Sequence, residues 1–290
     1  MSVRTAVIPA AGHGSRLYPV TQAVPKELFP ILDTPALQLI VEEAIDSGIE
    51  RIIIVINERK RLIQQYFELK PLPDAAGHLR TEQSASFLST LNQRAELIFV
   101  HQPEQLGLGH AVCMAEPLIS DPWFAVMLGD NITRGQKPVL GQLVRAHLRF
   151  GSAVIGVQSV APERVPHYGI VETASKTENH YKLSGVVEKP ALGTTQSRLA
   201  IAGRYVLPRT ILDHLKQADG SQGEIQLTDG IQALIQTSAA YGCEYEGIRL
   251  DIGSGIDFIR ANVLAALERP ELNQQCVEMI ENLQALIKPQ

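Results

Sequence analysis

Two glycine-bearing loops, two isolated aspartates and a Glu-Lys pair are the side chains here whose types and spacing suit chemistry. The first loop runs Ala10-Ala11-Gly12-His13-Gly14-Ser15-Arg16-Leu17, with Pro25-Lys26-Glu27-Leu28 soon after. Glycines that follow an apolar strand let backbone N–H groups approach an anion without interference from Cβ. Arg16 and Lys26 add two cations to the same stretch. A tight strand-to-helix turn explains such a glycine pair too. A dinucleotide-binding fingerprint fits less well: its third glycine would fall on Leu17, and Pro19 and Pro25 break the helix that should receive the pyrophosphate. An extended basic loop suits a triphosphate.

The second loop runs from Gln102 through Gly107, Gly109 and His110 to Val112. Gln102 falls at the C-terminal end of an apolar run, where open α/β sheets place their ligands. Its amide can both donate to and accept from a pyrimidine edge. A surface amide and a helix-entry turn are the competing readings. Leu128-Gly129-Asp130-Asn131 and Leu250-Asp251-Ile252-Gly253 each put a carboxylate at a strand end beside glycine, where it reaches a hard cation through oxygen. Either aspartate alone also reads as a helix cap or turn former. Glu188 and Lys189 follow the apolar Val186-Val187, and an exposed ion pair is the plain alternative there.

The elements that must position these residues alternate. Ala6–Pro9, Arg51–Ile56, Leu97–His101 and Trp123–Leu128 read as strands, the second a nearly continuous Ile/Val run of the kind buried on both faces. Leu37, Ile40, Val41, Ala44 and Ile45 share one helical face that Gly48 closes, and Ala111–Ile119 reads as a second helix. Strands alternating with helices predict a doubly wound, mostly parallel sheet with right-handed crossovers. From Ser152 onward the strands come closer together: Ala153–Val157, Gly169–Glu172, Leu183–Glu188 and Ile201–Leu207. They predict a mixed or antiparallel extension carrying part of the pocket. Residues Lys70 to Arg94, broken at Pro71 and Pro73, read as a surface insertion. Leu272, Cys276, Met279, Ile280, Leu283, Leu286 and Ile287 form a helical stripe, expected to dock on the protein's own core rather than on a second copy.

Composition sets the outer limits. The 290 residues are 45% hydrophobic and 20% charged, an ordinary globular balance, and the formal net charge of −5 argues against a phosphate-backbone binder. Three scattered cysteines predict neither disulfide nor metal use and fit a reducing compartment. No apolar stretch approaches the roughly 18 residues of a membrane span, and the short lead into Thr5 predicts no signal peptide. The expected setting is the cytoplasm, with no nucleic-acid or membrane partner.

Gly12 to Leu17 followed by Pro25-Lys26-Glu27 resembles the signature loop of the sugar-1-phosphate nucleotidyltransferases, GxG[ST]R with a lysine further on, Ser15 keeping the hydroxyl of the commoner threonine. The second loop is similar to the base-reading loop of bacterial uridylyltransferases, although Leu106 stands where many relatives carry lysine. Ala200–Leu207 and Gly223–Asp229 resemble the bacterial UTP–glucose-1-phosphate uridylyltransferases nearly letter for letter, and the likeness runs from about Val3 to Asn262. It implies an α/β, doubly wound, Rossmann-like nucleotidyltransferase sheet with a smaller antiparallel sugar-binding extension and C-terminal helices. The implied division is a catalytic domain over 1–268, with a nucleotide half (1–150) and a sugar half (151–268), then a C-terminal helix over 269–290.

The resemblance further implies a Mg2+-dependent reaction of UTP with glucose 1-phosphate to UDP-glucose and pyrophosphate, in a homo-oligomer. Ala10, Ala11, Gly12 and Gly14 would surround the nucleotide, with Gln102 and the Gly107 backbone on uracil. Arg16 and Lys26 would hold the triphosphate, and Asp130 and Asp251 the metal. Asn131, Gly169, Glu188 and Tyr205 would meet the sugar, and Lys189 its phosphate. The Asp130-Asn131 pair looks more like the thymidylyltransferases of the same superfamily, so a dTTP-using enzyme is the alternative. A regulatory homologue that binds without turnover is another.

Overall fold

The computed structural model describes residues 2–68, 90, 91, 93–218 and 223–287. In chain order its first half contains β1 (Thr5–Pro9), β2 (Pro30–Ile31), β3 (Thr34–Pro35), α1 (Ala36–Asp46), β4 (Arg51–Ile56), α2 (Arg61–Glu68), β5 (Glu96–His101), α3 (Leu108–Met114), β6 (Trp123–Met127), β7 (Asn131–Arg134) and α4 (Val139–Phe150). The second half contains β8 (Ala153–Ser159), β9 (Gly169–Thr177), β10 (His180–Glu188), β11 (Leu199–Pro208), α5 (Ile211–Gln217), α6 (Leu227–Thr237), β12 (Ala240–Glu244), β13 (Ile248–Asp251), α7 (Gly255–Glu268) and α8 (Pro270–Ile287).

Among the described residues nine strands form one sheet in the order β5-β4-β1-β6-β11-β8-β12-β10-β9. β1 pairs in parallel with β4 and β6, and β4 with β5. Strand alternation then feeds two cores. Ala6, Ile8, Ile52 and Ile54 face α1 and α4, whereas Val7, Ile53 and Val55 face α3, α5 and α6. The predicted extension does not sit apart from this layer. β11 runs antiparallel between β6 and β8, with Arg204 opposite Met127, and so carries the same sheet into the β9–β10 hairpin.

α1 buries Leu37, Ile40, Val41, Ala44 and Ile45 as their spacing predicts, and Gly48 follows it at φ 88°. Three expectations change. The helix placed over Ala111–Ile119 starts earlier and stops at Met114. A separate 3-10 turn over Glu116–Leu118 follows it, because Pro117 cannot continue an α-helix. Most of the Lys70–Arg94 insertion lies outside the described residues, but Leu91 within it is buried in the core. The stripe on α8 is not docked on the core. Cys276 alone of its described residues is buried, while Met279, Leu283 and Leu286 face solvent, Leu286 at 81% exposure. Helical periodicity marks a face without saying what covers it. The end of that segment, residues 288–290, lies outside the described residues. No described helix is long and apolar enough to cross a membrane.

Candidate active site

Asp130 and Asp251 are far apart in sequence and are brought together by strand register. β7 pairs antiparallel with β13, setting Asn131 opposite Asp251, and the Ile252 N–H donates to the Asp130 carbonyl at 3.0 Å. Asp130 itself occupies the turn between β6 and β7 rather than the strand end. Asp251 Oδ1 accepts from the Gly253 N–H at 2.9 Å, which fixes its rotamer. Among the described residues no group of three or more His, Cys, Asp or Glu side chains converges to hold a metal. Two carboxylates suit Mg2+, which binds one or two of them and completes its shell with phosphate oxygens and water.

Cations sit on both aspartates. Lys26 pairs with Asp130, and Arg16 Nη1 stands 3.5 Å from Asp251. Burial pushes the Asp130 carboxyl up, but the Lys26 ammonium and the Asn131 amide reverse this and hold it at about 2. Burial likewise pulls the Lys26 amine down, and Asp130 with Glu27 carries it above the ordinary lysine value. Beneath them Lys60 donates to both Glu27 oxygens at 2.7 Å. A second buried pair underlies β7. Arg204 on β11 donates to Glu43 of α1 at 2.7 Å and to the Asn131 carbonyl at 2.8 Å, and the Glu43 carboxylate also accepts from Thr133 and the Leu140 N–H.

A cavity of about 460 Å³ beside the two glycine loops brings together Ala10, Ala11, Gly12, Gly14, Gln102 and Gly107, the residues expected around a nucleotide, with Lys26. The first loop is pinned through Ala11, whose carbonyl accepts from Asn57 at 2.6 Å and from Gln105 at 2.7 Å. The second loop is clamped by Ile225. The Ile225 N–H donates to the Leu106 carbonyl at 2.7 Å, and the Gly109 N–H to the Ile225 carbonyl at 2.8 Å. Gly107 is at φ 98°, and a Cβ there would lie 2.6 Å from the Ile225 oxygen, so no larger residue fits. Gln102 Nε2 reaches the Gly107 carbonyl at 3.3 Å and His110 Nδ1 at 2.8 Å.

The second cavity, about 830 Å³, is lined by Asn131, Gly169, Glu188, Lys189, Tyr205 and Asp251. Arg16 lines this cavity too, rather than the one around the first loop. Gly169 stands opposite Glu188 in the β9–β10 ladder, and a Cβ on it would come within 3.2 Å of Glu188 Oε2. Glu188 accepts from Thr228 at 3.1 Å and lies 3.3 Å from the Lys189 ammonium. Tyr205 is buried among these groups, and burial pushes its hydroxyl pKa up. Leu128, Asp130, Glu188 and Lys189 border both cavities, so two ligands would meet beside Asp130.

Asn131 lines the second cavity, and both ends of its amide are engaged. Nδ2 donates to Asp130 at 2.9 Å, and Oδ1 accepts from Arg249 Nε at 2.5 Å. Sequence reading missed Arg249, whose guanidinium also lies 4.6 Å over the Tyr168 ring. Its signal was present: two residues before Asp251 on one strand, it shares that residue's face. Thr228, Ile225 and Asn57 carried no such local signal.

A family profile described as nucleotidyl transferase matches residues 5–267. The chain is 41% identical over 286 residues to UTP–glucose-1-phosphate uridylyltransferase 2 of Staphylococcus saprophyticus, covering 97% of this chain and 98% of that one. It resembles the structure of UTP-bound UGPase from Acinetobacter baumannii with a TM-score of 0.85 and 32% identity, over 97% and 99% of the two chains. A UDP-glucose pyrophosphorylase complexed with UDP-glucose superposes with a TM-score of 0.84 at 30% identity, over 92% of this chain and all of that one. With its glycine loop, paired aspartates and twin cavities, the chain belongs to the nucleotidyl transferase family.

Proposed function

We propose that this enzyme transfers a uridylyl group from UTP to glucose 1-phosphate, giving UDP-glucose and pyrophosphate. The observation that carries this reading is the meeting of a nucleotide-side and a sugar-side cavity at Asp130, Glu188 and Lys189. The choice of ligands is supported by relatives named uridylyltransferases and by related structures holding UTP and UDP-glucose. The dTTP alternative rested on Asn131, which here engages Asp130 and Arg249.

A phosphate oxygen of glucose 1-phosphate attacks the α-phosphorus of UTP in line with the departing pyrophosphate. The nucleophile is already ionised, since a phosphate monoester has its second pKa at about 6, so no general base is needed. Catalysis is then positioning and charge neutralisation. Lys26 answers the charge that grows on the leaving pyrophosphate, Lys189 the sugar phosphate, and Arg16 closes from the rim. Mg2+ held by Asp130 and Asp251 would supply further neutralisation of the phosphates. Glu188 accepts from sugar hydroxyls, and Gly169 and Tyr205 shape the wall beside it.

The assigned setting is the cytoplasm, in keeping with three free cysteines. The exposed stripe on α8 supports a homo-oligomer. A coupled pyrophosphate-release assay over nucleotides and sugar 1-phosphates tests the reaction. UTP with glucose 1-phosphate should give the highest kcat/KM, with dUTP falling toward dTTP because the 2′-hydroxyl carries most of the discrimination. A rate with dTTP equal to or above that with UTP overturns the uridylyl reading.

A further inference from the structure

We propose that His110 makes the site reject cytosine, by locking the Gln102 amide with its oxygen turned toward the base. The proposal rests on the assignment of Gln102 to the pyrimidine edge. Gln102 is 3% exposed, so its amide cannot rotate freely in solvent. A backbone carbonyl only accepts, so the end of the amide that faces the Gly107 oxygen at 3.3 Å must be the NH2. Its other hydrogen points at His110 Nδ1, 2.8 Å away. An amide nitrogen only donates, so this ring nitrogen is the bare acceptor and the ring proton sits on Nε2.

Both Nε2 hydrogens are thereby engaged, and among the described residues no protein donor reaches Oε1. Gln102 lines the cavity, and Oε1 is the end of its amide left to accept from a ligand there. It complements the N3–H of uracil, and equally that of thymine. Cytosine offers a bare N3 at that position, which sets acceptor against acceptor. Discrimination of this kind needs the amide to be unable to turn over, and the 3.3 Å contact to Gly107 is long for the task alone. His110 supplies the shorter bond. It is held in turn by the helix start, where the Gly109 N–H donates to Ile225 and the Ala111 N–H to Gly107. Uracil is not separated from thymine by this device, so that selection lies elsewhere in the site.

Three substitutions in the full chain test the proposal, with kcat/KM for UTP and CTP at saturating glucose 1-phosphate. Where CTP turnover is too slow to follow, its inhibition constant against UTP replaces it. His110→Asn places Oδ1 where Nδ1 stood and should keep the UTP:CTP ratio. His110→Leu has the same shape without an acceptor. It should narrow the ratio about tenfold, the worth of one hydrogen bond, with the KM for glucose 1-phosphate unchanged. His110→Ala serves as the second variant lacking an acceptor if the leucine form folds poorly. Equal ratios in the Asn and Leu variants, or an unchanged ratio in both Leu and Ala, overturn the role of His110. Gln102→Ala separates the two layers. If it collapses the ratio while Leu does not, the locking idea alone fails; if it leaves the ratio intact, the pyrimidine assignment fails with it.

Discussion

The floor of the site and its rim use the same residue types in opposite ways. Below the cavities, Lys26 is 12% exposed and bound to Asp130, and Arg204 is wholly buried against Glu43. Around them, Arg16 is 64% and Lys189 59% exposed. A floor charge is held in one rotamer with little water near it, so its field is in place before substrate arrives. A rim charge is screened and keeps its rotamers, and contributes when a ligand excludes water from it. Lys189 adds a backbone constraint: at φ 42° it occupies a region that non-glycine residues seldom adopt. The floor therefore sets geometry, while the rim adds charge on demand.

The sharpest way to break this contrast is Arg204→Ala. It strands the Glu43 carboxylate in the core and should cost about 3–5 kcal/mol of stability in urea unfolding. A loss under about 1 kcal/mol would mean that water reaches the pair and that it is no floor at all. Next, Asp130→Asn and Asp251→Asn should each reduce pyrophosphate release about 10³-fold at saturating Mg2+, with the far-ultraviolet circular dichroism unchanged. Near-native rates in either variant remove that residue from the metal pair. Lys26→Ala should then lower kcat about 10²-fold, whereas Lys189→Ala should chiefly raise the KM for glucose 1-phosphate. If the two lysine variants lose kcat alike, floor and rim do not differ in kind.

The smallest effect belongs to an exposed pair used as a yardstick. Arg269 hydrogen-bonds Asp33 and holds its carboxyl down at about 2. A depressed carboxylate contributes stability above its unfolded pKa of about 3.9 and loses it as pH falls through about 2. Asp33→Asn should therefore cost about 0.5 kcal/mol at pH 7, discounted for solvent screening, and nothing near pH 2. Unfolding midpoints at the two pH values check this.

What sequence could reveal followed chain distance. The first glycine loop, the α1 face and the strand runs were legible because residues a few positions apart carry their whole pattern. Gln102, Asp130 and Asp251 were each visible singly, and their convergence came from resemblance rather than spacing. The Arg204–Glu43 pair was not legible, since its partners come from β11 and α1 and nothing local distinguishes a buried arginine from an exposed one. Ile225 was invisible for a related reason: its backbone clamps the base loop, and backbone contacts leave no mark on residue type. Asn131 lines the second cavity and braces the Asp130 carboxylate with the same amide, and residue type alone announces only the first of these.

The β7–β13 register also fixes when activity can appear. During synthesis Asp130 leaves the ribosome long before Ile248–Asp251, so on the proposed pairing of the two aspartates around Mg2+ the emerging polypeptide would hold half of a cation site. On that proposal the reaction would switch on only once that last short ladder has closed. A lesion that frays β13 or the start of α7 would thus register first as a weaker grip on metal, a higher Mg2+ requirement, and only later as lost fold. Titrating activity against Mg2+ in such variants gives a sensitive gauge of how tightly the end of the chain is stitched to its middle.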